Sequence, residues 1–437
     1  MTLTEAAFWT KKFGLIAVGI FAFGIIFLLI ILKPKKTDLP QKYLEPDFAC
    51  TQTPEEFLPD RLSIPSLEIV NNDNVEYVIQ TDTGKLGDLP TIVNVYSYTD
   101  LEQKITAQAE AKILAGKLGF DPEMIIRRGT TEYLWNNNRT QRTLHVNARD
   151  LNFTFKTSIN MIKELRKMSD LPTENEAITA ATSILRSLGV LDEGYTTMQP
   201  SVYLITINPD DTYSEADSLL NAHLIRVDFQ KQIPLISIPS NVEGAQKIIS
   251  YLTKKNMSHT MGKILVNDSN VDVYNFSTLM TYSNPSKSNV SVYVGAENPS
   301  IKNHNSIHQI EFRTWQQEVE SCGTYPLISP EIAQNRVQNG EGSLVQLNYN
   351  NDEIAPYISQ DVKRYIITDL YITYYEGLYE QKFLQPVYLF TGVATLADNS
   401  SADFFIYYPA IDYDNLEERK ELPELPTTKK KDSILPF

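Results

Sequence analysis

Cysteine is scarce in this chain, with only Cys50 and Cys322 among 437 residues. So few cysteines exclude a disulfide-rich scaffold, and a folded core must therefore be held together by apolar burial. Neither cysteine lies in a CxxC spacing, which excludes structural zinc bound through cysteine. Two alternatives stay open: outside the cytoplasm the pair could form one bridge, and otherwise the two remain free buried thiols.

Signatures of catalysis are also lacking. The sequence contains no HExxH, GxSxG, Walker A or dinucleotide-binding glycine motif. A serine or cysteine nucleophile needs a histidine as its base, and the five histidines are His145, His223, His259, His304 and His308. The first two fall in predicted strands, where a structural role is the better interpretation, and the last two would not share a helix face as metal ligands. We predict no catalytic, metal or cofactor site.

Positive charge is scarce, since the sequence contains 39 Lys and Arg against 54 Asp and Glu, which gives a net charge of −15. Residues 1–36 hold five lysines and one glutamate, so the remainder of the chain is more acidic still. Such a surface repels phosphate backbones, which excludes nucleic acid as a partner.

One long apolar run interrupts this polar composition. Phe13–Leu32 contains no charged residue and ends at the basic segment Lys33–Lys36. As a helix, twenty residues span about 30 Å, the thickness of a bilayer core. The apolar core of a cleaved signal peptide is shorter and ends at small residues. We therefore predict a single-pass protein of the cell membrane, with a cytoplasmic tail (1–12), a transmembrane helix (13–32) that contacts the bilayer, and a large extracytoplasmic part.

The rest of the chain divides into a stalk (33–49), two similar modules (50–160 and 161–262), a β-rich C-terminal module (263–412) and a disordered tail (413–437). Capping boxes at Thr99–Glu102 and Thr173–Glu176 each open an amphipathic helix. Strands follow both helices, so each helix must bury its apolar stripe against a sheet. The predicted fold class is α+β, with repeated modules of a helix plus an antiparallel β-meander.

A tyrosine-rich pair of strands provides the candidate partner surface. Strict alternation along the predicted strand 364–375 places Tyr365, Tyr371 and Tyr375 on one face and Tyr374 on the other, and Tyr388 lies in the next strand. Exposed rings of this kind could be covered by a partner. The alternative is an ordinary core in which the tyrosine hydroxyls find hydrogen-bond partners.

The same region resembles a known family. The segments that carry the resemblance are Tyr325–Ala333, the glycines Gly340 and Gly342, Leu384–Phe390 and Tyr407–Ile411. Over about residues 320–412 the chain resembles the C-terminal module of YycH/YycI-type proteins, whose modules are PepSY-like. The resemblance implies a single-pass extracytoplasmic regulator of a cell-wall-sensing histidine kinase of Gram-positive bacteria, and it assigns no functional residue.

Together these observations predict a non-enzymatic binding or regulatory protein that acts on a membrane or cell-envelope protein, with self-association also open. One alternative is a structural subunit of a secretion, adhesion or surface-layer assembly. Another is a hydrolase with an unrecognised acidic site, because the separation of paired carboxylates is a property of the fold and cannot be seen in the sequence.

Overall fold

The computed structural model describes residues 45–70, 75–81, 86–99, 105–266, 269–348, 352–378 and 380–417. No helix among these residues is long and apolar enough to cross a membrane. The predicted span 13–32 lies outside the described residues, as do the tail 1–12, most of the stalk 33–49 and the end of the chain from 418. The structure therefore gives no support to the prediction of a single-pass transmembrane protein.

Strands dominate the described residues. In chain order they are β1 (Glu76–Ile79), β2 (Ile92–Ser97), β3 (Ile126–Arg128), β4 (Glu132–Asn137), β5 (Arg142–Asn147), β6 (Phe153–Thr157), β7 (Ser201–Ile207), β8 (Tyr213–Glu215), β9 (Leu224–Phe229), β10 (Gln232–Pro239), β11 (His259–Val266), β12 (Ser269–Tyr282), β13 (Val290–Gly295), β14 (Ile307–Phe312), β15 (Gly323–Pro326), β16 (Ser343–Asn348), β17 (Val362–Glu376), β18 (Phe383–Leu396) and β19 (Ser401–Pro409).

The helices are fewer and mostly short. They are α1 (Ala107–Lys117), α2 (Ile159–Met168), α3 (Glu174–Leu188), α4 (Ala245–Lys254), α5 (Pro330–Gln338) and α6 (Asp414–Glu417), with 3₁₀ turns at Pro54–Asp60 and Glu193–Tyr195.

The described strands form two large sheets, which corrects the predicted fold class. Ten strands build one sheet around the path β10-β12-β17-β18-β19-β16, and nine build the other in the order β3-β4-β5-β6-β14-β13-β9-β7-β8. The protein is thus mostly β, and each sheet takes strands from distant parts of the chain instead of from one helix-plus-meander module. The prediction of consecutive repeated modules is wrong because strand pairing over long sequence separations leaves no local pattern.

The order of strands makes the chain pass between the two sheets four times, after β2, β9, β12 and β14. After β12 the chain leaves the ten-stranded sheet. The β13–β14 hairpin that follows lies between β6 and β9 in the nine-stranded sheet and pairs with both. Strands β9 and β10 are separated by only two residues, yet they belong to different sheets. The two sheets are therefore interleaved along the sequence.

The ten-stranded sheet joins the start of the described chain to its end. Strand β1 lies parallel to β17, with Glu76 opposite Arg364, and β2 pairs with both β15 and β18. A disulfide links Cys50 to Cys322 across 272 positions of sequence. The core of this sheet also contains α4 and α5, through residues such as Leu252 and Val337.

The nine-stranded sheet packs its inner face against α1 and α3. Both helices bury residues against this sheet, including Ala111 and Ala181, which are both 0% exposed. The predicted capping box Thr173–Glu176 is present, and Gly189 ends α3 with a positive φ of 78°. The first predicted box lies outside the described residues apart from Thr99, and α1 begins only at Ala107.

Candidate ligand-binding cleft between the two sheets

A polar cleft of about 480 Å³ lies where the outer face of the nine-stranded sheet meets the end of β17. This volume falls in the range of about 300–1,000 Å³ that is usual for ligand sites. Strands of the nine-stranded sheet contribute to it, together with the loop after β17 and the crossings that follow β12 and β14. The lining residues are Glu132, His145, Val146, Asn147, Asp150, Asn152, Phe153, Thr154, Asn289, Arg313, Trp315, Gly377 and Leu378.

One wall of the cleft is the β5–β6 hairpin, whose turn is stabilised by hydrogen bonds from its own side chains. The side chain of Asn147 accepts a hydrogen bond from the amide of Arg149 at 2.8 Å. The carboxylate of Asp150 accepts one from the amide of Asn152, also at 2.8 Å. Such Asx contacts within a turn fix the backbone locally, so the hairpin presents its end to the cleft in a defined shape.

Two contacts dock this hairpin onto the remainder of the protein. Asn152 exchanges two 3.0 Å hydrogen bonds with the backbone of Thr314, donating to its carbonyl and accepting from its amide. Arg149 forms a two-pronged ion pair with Glu380, at 2.6 and 2.8 Å. The ion pair is about half exposed, so its contribution to stability is small and the amide exchange is the firmer contact.

Trp315 forms the aromatic wall. Its indole nitrogen donates to the carbonyl of Gly377 at 3.2 Å, and its backbone amide donates to Glu376 at 3.4 Å. Asn289 donates to the same carboxyl group from the other side, at 2.7 Å. The indole plane is thereby fixed against the loop that follows β17, half-buried and facing the cleft.

The chemistry of the lining is that of a polar binding site. Glu132, His145 and Arg313 are exposed, and partial burial raises the pKa of Asp150, which the hydrogen bonds from Asn152 oppose. Neither serine nor cysteine occurs among the described residues that line the cleft. The arrangement can therefore hydrogen-bond and stack on a polar ligand, and it offers no serine or cysteine nucleophile.

The tyrosines predicted to form a partner surface lie mainly in the core, which corrects that prediction. Tyr365, Tyr374, Tyr375 and Tyr388 are at most 2% exposed. The hydroxyl of Tyr374 donates to the carbonyl of Asn94 at 2.6 Å, and that of Tyr388 to a backbone carbonyl at 2.7 Å. All four rings are core residues, and a partner could reach them only by unfolding the sheet.

Tyr371 is the exception, with 37% of its surface exposed. Its hydroxyl donates to Asp369 at 2.8 Å, and the ammonium group of Lys255 lies 5.5 Å from the centre of the ring. A bulge between Ile367 and Asp369 shifts the register of β17. Side chains that alternate onto one face of the sheet before the bulge therefore lie on the other face after it. Strict alternation in the sequence could not show that shift.

Sequence reasoning missed the residues of the cleft. His145, interpreted as structural, lies in β5 as predicted but on the exposed outer face. Trp315 stands outside any periodic pattern, in the crossing after β14. The signal that could have drawn attention to this region is the dense run of turn-forming side chains from Asn147 to Asn152. Cys50 and Cys322, for which two alternatives were open, are joined in the disulfide.

Comparisons with known proteins do not identify the chain. No family model and no curated protein matches it. Among solved structures, an uncharacterised protein from Eubacterium rectale ATCC 33656 is similar over 79% of this chain and 92% of that one, at 11% identity and a TM-score of 0.36. A likeness of this size carries no argument about function, and the resemblance to YycH/YycI-type and PepSY proteins stays a prediction.

Proposed function

We propose that this is an extracytoplasmic, non-enzymatic binding protein that holds a polar segment of a cell-envelope protein in the cleft between its two sheets. The observation that carries the proposal is the cleft itself, which exposed Glu132, His145 and Arg313 line together with the fixed indole of Trp315. Fixed aromatic rings and arginines are the residue types that contribute most to binding at protein interfaces.

The internal hydrogen bonds of the cleft support binding over catalysis. Both amide atoms of Asn152 are engaged by Thr314, and one carboxylate oxygen of Asp150 is engaged in the turn. Side chains that are already held by hydrogen bonds within the protein are preorganised. This lowers the entropic cost of ordering the site when a ligand binds.

The disulfide supports a location outside the cytoplasm. Bridges such as Cys50–Cys322 form and persist in oxidising compartments and are rare where thiol reductants dominate. Because the bridge ties the first described segment to β15, its loss in a reducing compartment would weaken the ten-stranded sheet directly.

Site-specific photocrosslinking in cells of the source organism tests the proposal. A photoreactive residue replaces Arg313, which lines the cleft, or Arg139, an exposed arginine of the same sheet that does not line it. We expect a discrete adduct with one envelope protein from position 313 alone, and we expect Trp315→Ala in the same chain to abolish it.

Other outcomes would overturn the proposal. Identical adducts from positions 313 and 139 would show contact without use of the cleft. An adduct between two copies of this chain would favour the structural subunit considered above. Release of a new product when the purified protein is incubated with an envelope fraction, lost in Glu132→Gln, would identify an enzyme.

A further inference from the structure

The four crossings between the sheets converge on one buried carboxyl group. Glu376 ends β17 and is 2% exposed. Asn289, in the crossing after β12, donates to it at 2.7 Å, and the amide of Trp315, in the crossing after β14, donates at 3.4 Å. Tyr98 at the first crossing and Lys231 at the second both act electrostatically with this carboxyl group.

The other groups that face Glu376 do not neutralise it. Lys231 pairs with Asp192 at 3.1 Å and also lies over the ring of Tyr195. Tyr282, at the end of β12, is within electrostatic range of both Glu376 and Asp228, and Asp228 itself pairs with Arg226 at 3.0 Å. Lys231 is therefore shared with Asp192, and the charge of Asp228 is balanced by Arg226.

Three phenol groups lie within electrostatic range of the carboxyl group. The hydroxyl oxygens of Tyr98, Tyr195 and Tyr282 are buried. That of Tyr98 completes no hydrogen bond with the described residues, whereas Tyr282 interacts with the hydroxyl groups of Ser288 and Tyr195. Burial raises the pKa of each phenol well above 10, so all three stay neutral. They are dipoles that can turn towards a carboxylate or away from a carboxylic acid.

Burial also acts on Glu376 itself. It raises the pKa of this carboxyl group to about 7, against the opposing effects of Asn289, Trp315 and Lys231. The group therefore changes its charge near neutral pH while enclosed by the crossings. A buried carboxylate without a committed cation is costly, and hydration lowers that cost. The cleft offers a route to water, because Asn289 and Trp315 line it and also donate hydrogen bonds to this carboxyl group.

We propose that Glu376 is a proton-operated joint between the two sheets, closed when the carboxyl group is protonated and opened towards the cleft when it is ionised. Opening releases Trp315 and Asn289 from their fixed positions and weakens the binding of a ligand in the cleft. The effect on the ligand rests on the function proposed above, whereas the movement of the joint does not.

The joint can be measured without a ligand by hydrogen exchange and mass spectrometry on the full chain. If the carboxyl pKa is about 7 in the closed state and near its usual value when hydrated, opening becomes about tenfold more favourable between pH 6 and pH 8. After correction for intrinsic exchange rates, we expect protection of residues 283–289 and 313–317 to fall by that factor, with a midpoint near pH 7.

Three variants separate this joint from general effects of pH. Glu376→Gln should abolish the change in protection, while Glu311→Gln, which removes a carboxylate paired with Lys287 at 2.6 Å, should leave it intact. Asn289→Ala removes a hydrogen bond that favours the ionised form, so it should move the midpoint to higher pH. A wild-type chain with equal protection at both pH values would overturn the proposal, as would an undiminished response in Glu376→Gln.

The crosslinking yield from position 313 at pH 6 and pH 8 then tests the coupling. We expect a lower yield at pH 8 in the wild type and no difference in Glu376→Gln. Changed protection with an unchanged yield would overturn the coupling and leave the binding function standing. Absence of any adduct at either pH would count against the binding function, and the exchange data would still decide the joint.

Discussion

Replacing Glu376 with glutamine should change how the stability of the protein depends on pH. The wild-type carboxyl group has a pKa of about 7 in the folded chain and 4.5 as a free side chain. Between these values the folded state binds more protons than the unfolded state. The free energy of unfolding is therefore highest below pH 4.5, and it falls as pH rises through about 7.

The magnitude follows from the size of the shift. Each pKa unit is worth about 1.4 kcal/mol, so ionised Glu376 costs the folded state about 3 kcal/mol at pH 8, and most of this is lost between pH 5 and pH 8. Glutamine resembles the protonated acid in shape and carries no charge. Glu376→Gln should thus lose this pH dependence, so that its stability relative to wild type rises by about 2–3 kcal/mol between pH 5 and pH 8.

Urea unfolding at constant ionic strength, from pH 5 to pH 8, measures this difference. Glu311→Gln is the matched control, because burial raises the pKa of Glu311 but the neighbouring Lys287 and other basic groups lower it further, to below the ordinary value. The stabilisation that ionised Glu311 gives the folded state is lost only as pH falls below that ordinary range. The free energy of unfolding of Glu311→Gln should therefore change with pH as the wild type does between pH 5 and pH 8. Parallel curves for wild type and Glu376→Gln would refute the reasoning about buried charge.

Other substitutions test the architecture. Removing the disulfide by replacing Cys50 and Cys322 together with alanine should lower the free energy of unfolding by about 3–5 kcal/mol, since the bridge closes a long loop in the unfolded chain, and non-reducing urea gradients would show the loss. Gly392→Ala should destabilise by about 1–3 kcal/mol, because the added Cβ would lie 1.9 Å from the carbonyl oxygen of Ile366; an unchanged melting temperature would contradict this. Tyr374→Phe should cost about 1–3 kcal/mol by leaving a buried carbonyl without its donor, whereas Tyr371→Phe should have little effect in the same melts.

Local structure was predictable where local contacts determine it. The capping box of α3 and the serine cap of α5 follow from a few adjacent residues, and both are present. Helix α2 was missed because the alternating residues of β6 run directly into it without a break. Gln230 and Lys231 lead the chain from β9 in one sheet to β10 in the other, and no turn residue marks that change in the sequence.

The arrangement of the sheets and the cleft was beyond local reasoning. The pairing of Glu76 with Arg364 depends on which distant strand presents a compatible edge. The tyrosines were assigned to a surface from their density along two strands and from the resemblance, and neither shows that four of them are buried. Trp315 becomes part of a site only when Asn289 and Gly377 are brought beside it, and no spacing in the sequence encodes that meeting.

The interleaved order of strands has a consequence for biogenesis. During synthesis, β2 emerges with its apolar residues Val93 and Val95 long before β15 and β18 exist to cover them. Strands β6 and β9 are likewise made before the β13–β14 hairpin that pairs with both of them. Topologies dominated by such distant pairings fold slowly, and their folding intermediates expose apolar surface that makes them prone to aggregate. The nascent polypeptide must be kept from aggregating until its last strand is made, and a product truncated before β18 would lack the means to complete the ten-stranded sheet.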